Sequence, residues 1–129
     1  MNLSEHMEVA KHAIARERAR QISVKGWSQE HDRDQGQEPL LKAARAYVAS
    51  DITLWPWSHR FWKPTTTIRN LVKGGALAQA AIEASPNAGS YADETRSAER
   101  LYNRAVLELG KLLLDAEEIM DNEMEAANG

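Results

Sequence analysis

The residues able to do chemistry are concentrated between positions 17 and 73 of the chain. All four tryptophans lie between Trp27 and Trp62, together with the single phenylalanine, Phe61. Cationic and imidazole side chains are interleaved with these rings: His31, His59, Arg60, Lys63, Arg69 and Lys73. Aromatic faces stack on bases and guanidinium groups, and Arg and Lys bind phosphates. The pattern fits two interpretations, an aromatic core with a solvated basic rim and a pocket for a nucleotide-like anion.

Nine residues are the candidates for contact with the ligand. Arg69 and Lys73 lie one helical turn apart, so they share a helix face. Glu17 and Gln21 interrupt an otherwise apolar helix face, where Glu17 serves either the site or a structural ion pair. The full set of candidate ligand-binding residues is Glu17, Arg20, Trp27, His31, Trp57, Trp62, Lys63, Arg69 and Lys73.

Hydrophobic spacing predicts four helices that position these residues, at 4–24, 39–49, 64–83 and 90–124. Ser4 and Ser90 are the expected N-caps, and the Trp-rich stretch 50–63 is expected to be irregular. The predicted fold is all-α, with three short helices around an aromatic-basic pocket plus a long C-terminal helix. Residues 1–84 form the expected helical aromatic-basic domain, and 85–129 a linker and a long acidic amphipathic helix.

The faces of the first and third helices carry more specific expectations. On the first helix, Arg16, Arg18 and Arg20 are expected to point away from the apolar face. The third helix contains Gly74-Gly75, a pair that costs about 1 kcal/mol per glycine relative to alanine. Such a pair lets another backbone or a ligand come close, and tight helix packing is the favoured reason.

The fourth helix carries a narrow apolar seam that is typical of coiled coils. The seam residues alternate by four and three: Ala105, Leu109, Leu112, Ala116 and Ile119. We expect a homo-oligomer formed through Leu109, Leu112, Ala116 and Ile119. Packing of the seam on the chain's own first three helices is the alternative.

Charge and composition narrow the possible functions. The net charge of −3 divides into +4 for residues 1–73, with 12 Lys/Arg and 8 Asp/Glu, and −7 for 74–129, with 4 Lys/Arg and 11 Asp/Glu. The basic part attracts an anion, while the acidic part disfavours nucleic acid. No stretch resembles a signal peptide or a transmembrane helix. The absence of cysteine fits a reducing cytosol, so a cytoplasmic protein is expected.

A series of short motifs runs through residues 14–83: Glu17-Arg18-x-Arg20-Gln21, Gly26-Trp27-Ser28-x-Glu30-His31-Asp32, Ala43-Ala44-x-x-Tyr47, Trp55-Pro56-Trp57, Trp62-Lys63-Pro64 and Arg69-x-Leu71-Val72-Lys73-x-Gly75-Ala76-Leu77. In order and spacing they resemble a widespread family of short phage and prophage proteins. The resemblance implies a protein acting in the host bacterial cytosol, and it transfers no activity. The fourth helix is an addition to the shared region.

The chain departs from that family at four positions. Arg33, Gln35, Pro39 and Ala81 stand where relatives tend to have Asp, His, Glu and Glu. Most of these changes remove a possible metal ligand. They therefore disfavour a hydrolase that needs carboxylates on facing helices.

A second resemblance, to ryanodine-receptor-type repeat domains, bears on the ligand. It is carried by Glu17-Arg18, Gly26-Trp27, an Asp-rich loop, Pro39-Leu40 and Tyr47. Short phage proteins also carry such domains, and the resemblance implies a nucleotide-like ligand. In a phage protein, such binding would serve counter-defence, as a sponge that sequesters a host immune signal.

Other functional classes compete with this interpretation. An all-α NTP pyrophosphohydrolase of the MazG type needs two acidic motifs on neighbouring helices to hold Mg²⁺, and Glu117-Glu118-x-x-Asp121 supplies one. An HD-type phosphohydrolase would use His31-Asp32, which the sequence places in a loop. We therefore expect binding without catalysis, and neither a metal nor a cofactor. An inhibitor that binds a host protein through the Trp-rich surface stays an open alternative.

Overall fold

Four α-helices make up the computed structural model, which describes residues 1–24, 36–85 and 93–128. They are α1 (Leu3–Ser23), α2 (Gln37–Ala49), α3 (Thr67–Glu83) and α4 (Asp93–Asn128). Two short 3₁₀ turns, Ile52–Leu54 and His59–Phe61, lie between α2 and α3. No strand occurs within the described ranges, so the all-α prediction is confirmed.

The ends of the helices follow from specific caps. Asn2, not Ser4, caps α1: its side chain accepts a hydrogen bond from the Glu5 N–H, and the Glu5 carboxylate accepts one from the Asn2 N–H. The expectation for Ser4 was wrong because this reciprocal cap needs Glu or Gln three residues later, a condition that Asn2 meets and Ser4 does not. Thr66 caps α3 by accepting a hydrogen bond from the Arg69 N–H.

Helix α3 is the centre of the fold, because it packs against each of the other three helices and forms the two most extensive helix pairs, with α2 and with α4. Most of its buried residues are small, which lets its neighbours approach closely. On one side, α2 and the Trp-rich segment cover it around Leu40, Tyr47 and Leu77. On the other side, α1 and α4 cover it around Ile14 and Leu109. The placement of α3 therefore sets the positions of the side chains at its two ends.

The glycine pair of α3 packs against two different helices. A Cβ atom on Gly74 would lie 2.6 Å from Val48 Cγ2 and 3.1 Å from the Ala44 carbonyl oxygen on α2. A Cβ atom on Gly75 would lie 2.6 Å from Ile14 Cδ1 on α1. Each glycine thus removes a collision between helices, and the pair serves packing within the fold.

The two halves of α4 have different environments. The proximal half completes the core through residues such as Ala98, Ala105 and Leu109, whose exposed fractions are 0%, 0% and 1%. The distal half is exposed, with Ile119 and Met120 about 60% accessible (58% and 61%). The predicted oligomer seam therefore lies partly in the core of the chain and partly on the exposed surface of α4.

Two of the residues expected to contact a second copy, Leu109 and Leu112, pack on the chain's own helices. Leu109 is buried in the α1–α3–α4 cluster, and the half-buried Leu112 packs against the same cluster. Leu109 therefore has no surface left for a second copy, because α4 lies back on its own domain. Self-association through Leu112, Ala116 and Ile119 stays a prediction.

In the described part of the chain, none of the helices combines the length and the apolarity that crossing a bilayer requires.

We predict that shortening Ile14 partly relieves the collision at Gly75. Gly75→Ala is expected to lower the free energy of unfolding by about 1–3 kcal/mol, as overpacking usually does. Ile14→Val removes Cδ1, the atom nearest the new Cβ, but keeps a γ-carbon where Cγ1 lies at 2.9 Å, so Gly75→Ala should cost less in that background without becoming neutral. Urea denaturation of the single and double variants measures this coupling.

Gly74→Ala provides the matched control, because its new Cβ meets the Val48 side chain and the backbone of α2 and not Ile14. Its cost should be the same with Ile14 and with Val at position 14. Equal costs of Gly75→Ala in the two backgrounds would contradict the proposed contact.

Candidate functional site

A groove between α1 and the first turns of α3 is the strongest candidate site in the described part of the chain. Its volume is about 350 Å³, which is at the low end of the range for small-molecule sites. One stripe of α1 and the start of α3 form its walls, and the lining residues are Ala13, Arg16, Glu17, Arg20, Thr66, Ile68, Arg69 and Val72. Three predicted site residues, Glu17, Arg20 and Arg69, meet here.

The carboxylate of Glu17 holds two of the groove's arginines in place. The Glu17 side chain is only 2% exposed. Arg20 donates two hydrogen bonds to it, from Nε to Oε2 at 3.0 Å and from Nη2 to Oε1 at 2.8 Å. Arg69 donates a third, from Nη2 to Oε2 at 2.5 Å. Glu17 therefore joins its own helix to α3 through ion pairs, which is one of the two alternatives raised by the sequence. Its role in a binding site stays a prediction.

Glu17 is ionised in this environment. Burial alone would raise the pKa of the Glu17 carboxyl, but the hydrogen bonds and charges of Arg20 and Arg69 outweigh burial and lower the pKa below its ordinary value. The same contact raises the pKa of Arg20. The groove thus holds three arginines and one carboxylate, which accepts three hydrogen bonds from two of them.

The arginines keep donor groups directed towards the opening of the groove. The side chains of Arg20 and Arg69 are 38% and 40% exposed, although both are paired with Glu17. Arg16 is exposed and has no ion pair with any residue of the described ranges. Because a guanidinium carries five N–H donors, and Glu17 takes two from Arg20 and one from Arg69, donors are left over for an anion.

The aromatic residues form a separate cluster beside α2. Tyr47 and Trp62 are stacked with ring centroids 4.5 Å apart, and Trp55 makes edge contacts to Tyr47 at 5.5 Å and to Trp57 at 5.1 Å. Trp55 is buried, and Trp57 and Trp62 pack partly buried against the core. These rings therefore form a small core of their own, and none of them lines the groove.

Lys63 and Lys73 belong to the support of this aromatic cluster. The Lys63 N–H donates to the Tyr47 hydroxyl oxygen at 3.1 Å. Lys73 Nζ donates to the Lys63 carbonyl oxygen at 2.7 Å and lies 5.6 Å from the centre of the Tyr47 ring. Although Lys73 is one turn from Arg69, its ammonium group contacts the Trp-rich segment and does not line the groove.

Two of the nine predicted site residues, Trp27 and His31, lie outside the described residues. Of the other seven, three line the groove, and four (Trp57, Trp62, Lys63 and Lys73) belong to the aromatic cluster and its support. The sequence thus identified the ion-paired part of the groove but joined it to the aromatic cluster in one pocket.

Two arginines of α1 lie where the sequence did not predict them: Arg16 lines the groove, and Arg18 is buried. Arg16 lines the groove because it lies one turn before Arg20, a spacing that puts both on the same face. Arg18 was expected to point away from the apolar face, but it is buried and donates from Nε and Nη2 to Glu83 Oε2 at 3.0 and 2.8 Å. The reason is visible in the spacing, because Arg18 follows the buried Ile14 by four residues.

The acidic motif of the rival hydrolase interpretation lies in the distal part of α4, where Glu117 contacts the start of α1. Glu117 accepts a hydrogen bond from the Met1 amino group at 2.5 Å and pairs with His6. Glu118 and Asp121 are exposed. Within 1–24, 36–85 and 93–128, no three His, Asp or Glu side chains are grouped as ligands for a metal ion.

We predict that the charge of Glu17 stabilises the fold in a pH-dependent way. At pH 7, Glu17→Gln should lower the free energy of unfolding by about 1–3 kcal/mol, because it weakens hydrogen bonds between charged groups. The folded pKa is lowered, so the stabilisation is present above the unfolded pKa and is lost as the pH falls below the ordinary glutamate value of 4.5. Urea denaturation at pH 7 and pH 4 should show the difference between the two proteins shrinking.

Glu99→Gln is the control for a general change in charge, because Glu99 is exposed on α4. It should leave the pH dependence of the wild-type protein unchanged. A constant difference between Glu17→Gln and wild type at both pH values would contradict an ionised Glu17.

The comparisons with known proteins leave this groove to be interpreted from its own geometry. No protein-family model, no curated protein and no solved structure matches the chain. The resemblance to short phage proteins therefore stays a prediction.

Proposed function

We propose that the chain is a non-catalytic binding protein that captures a nucleotide-like anion in the groove between α1 and α3. One observation carries the proposal: three arginines line one groove, and a buried carboxylate fixes two of them. Guanidinium groups bind phosphate through paired hydrogen bonds. The groove therefore offers the chemistry of a phosphate site.

The fixed position of the arginines favours binding. A free arginine loses side-chain entropy when a ligand immobilises it, at a cost of about 0.5–1.5 kcal/mol. Arg20 is held by two hydrogen bonds to Glu17 and Arg69 by one, so part of this cost is met during folding. Thr66 adds the capped start of α3 to the groove, where the helix dipole favours a negative charge.

The state of Glu17 supports binding without catalysis. A general base must accept a proton near the working pH. Glu17 has a lowered pKa, and its oxygens already accept three hydrogen bonds from arginines. It is therefore a poor proton acceptor, and its role is to orient Arg20 and Arg69.

The biological purpose in this proposal comes from the resemblance to phage proteins. A phage protein that binds a nucleotide-like molecule without consuming it would act as a sponge, lowering the free concentration of a host immune signal. Capture by a groove that opens to solvent suits this purpose, because no chemical step is needed.

A second candidate function is the inhibition of a host protein through the Trp-rich segment. The observation that favours it is the exposure of Phe61, which is 54% accessible and carries the Arg60 guanidinium 4.6 Å from its ring centre. Aromatic residues and arginine are typical of binding hot spots. This surface is distinct from the groove, so substitutions in the groove distinguish the two functions.

We predict that the purified protein retains a phosphorylated small molecule, which mass spectrometry identifies after denaturation. Arg16→Ala should lower the affinity for that molecule about tenfold or more, because a hydrogen bond to a charged group contributes about 1.5–3 kcal/mol. Arg69→Lys should weaken binding as well, since it keeps the charge but loses the planar fork. Arg69→Ala is less suitable, because it also removes a partner of the buried Glu17.

Arg104→Ala is the matched control for this experiment. Arg104 is exposed on α4 and is not part of the groove lining, so its loss removes the same charge elsewhere. It should leave binding unchanged. A ligand held equally well by wild type, Arg16→Ala and Arg69→Lys would exclude the groove as the binding site.

A further inference from the structure

The groove combines a cationic wall with an apolar one, and this combination constrains its ligand further. Its charged residues are three arginines and Glu17, which gives a net charge of +2. Its apolar residues are Ala13 on α1 and Ile68 and Val72 on α3. Ile68 and Val72 are four residues apart and therefore share a face of α3.

We propose, as a refinement that depends on the anion-binding function above, that the groove selects a phosphate monoester of mononucleotide size. Its phosphate binds Arg16, Arg20 and Arg69, and its ring system lies on Ala13, Ile68 and Val72. A phosphate monoester carries a charge of about −1.5 to −2 at pH 7. That charge balances the +2 of the groove, whereas a phosphodiester, with one charge, leaves the arginines half neutralised.

The size of the groove points to one nucleotide unit. Its 350 Å³ lies near the bottom of the range of about 300–1,000 Å³ for small-molecule sites. A ligand with two nucleoside units would leave one unit outside the lining. The part of a longer phosphate chain beyond the first phosphate would likewise find no further cation among the lining residues.

The apolar wall predicts weak discrimination between bases. Its three residues are aliphatic and offer no hydrogen-bond donor or acceptor from their side chains. Hydrogen bonds to a base edge are what reject the wrong base strongly. The groove lined by the described residues therefore recognises the phosphate monoester of a nucleoside, with little preference for which base the nucleoside carries.

Isothermal titration of the full chain tests this ligand class with AMP, cyclic AMP, adenosine, inorganic phosphate and ATP. AMP and cyclic AMP share base and sugar and differ in the charge of the phosphate. AMP should bind at least tenfold more tightly than cyclic AMP, adenosine or phosphate alone, and ATP should gain no more than about threefold over AMP. GMP, CMP and UMP should bind within about threefold of AMP.

The outcomes separate this inference from the broader proposal. Cyclic AMP binding as tightly as AMP, or ATP binding tenfold more tightly than AMP, would overturn the preference for a phosphate monoester. The broader anion site would still stand if Arg16→Ala weakened the binding of these ligands. Failure of every anion to bind, or binding unaffected by Arg16→Ala and Arg69→Lys, would remove the anion site itself. Ile68→Ala should weaken AMP binding more than phosphate binding, because only AMP carries a ring to lose the contact.

Discussion

The buried carboxylate of Glu17 is the contact on which the groove depends. Burying an ionised group costs several kcal/mol unless hydrogen bonds and opposite charges replace the water. Arg20 supplies two of the three hydrogen bonds from the same helix, and Arg69 supplies the third from the first turn of α3. The requirement to satisfy Glu17 therefore holds α1 against the start of α3, and the groove is the space left between them.

The neighbouring residue, Arg18, binds the opposite end of α3. It pairs with Glu83, the last residue of that helix, which is about 21 Å along the axis from Arg69 at 1.5 Å per residue. Both α3 partners oppose the helix dipole, which disfavours a cation at the first turn and an anion at the last by about 0.3–1 kcal/mol each. The preferences of an isolated helix therefore explain neither the position of Arg69 nor that of Glu83. Their ion pairs with Glu17 and Arg18 on α1 explain both. Reversing α3 would place Glu17 beside Glu83 and Arg18 beside Arg69, so the two pairs specify one orientation.

The sequence predicted well what depends on local spacing. The helix positions followed from hydrophobic periodicity, and Glu17 was recognisable as a charge on an apolar face. Its partner Arg69 is 52 residues away, and no local pattern shows which of the arginines reaches it. Arg18 was misplaced because its charge was given more weight than its spacing from Ile14. Whether Leu109 is buried depends on whether α4 folds back onto the other helices, and tertiary packing decides that.

The aromatic cluster and the groove are connected through the chain that leads into α3. Tyr47 accepts the Lys63 N–H, Lys73 holds the Lys63 carbonyl, and Asn70 accepts the Thr65 N–H at 2.9 Å. These bonds fix the path of the chain immediately before Thr66, where α3 begins and the groove has its edge. Aromatic rings close in sequence to arginines suggested one pocket that both would line. In the structure the rings define where α3 starts, and the start of α3 places Arg69 within reach of Glu17, so the tryptophans act on the groove through the backbone.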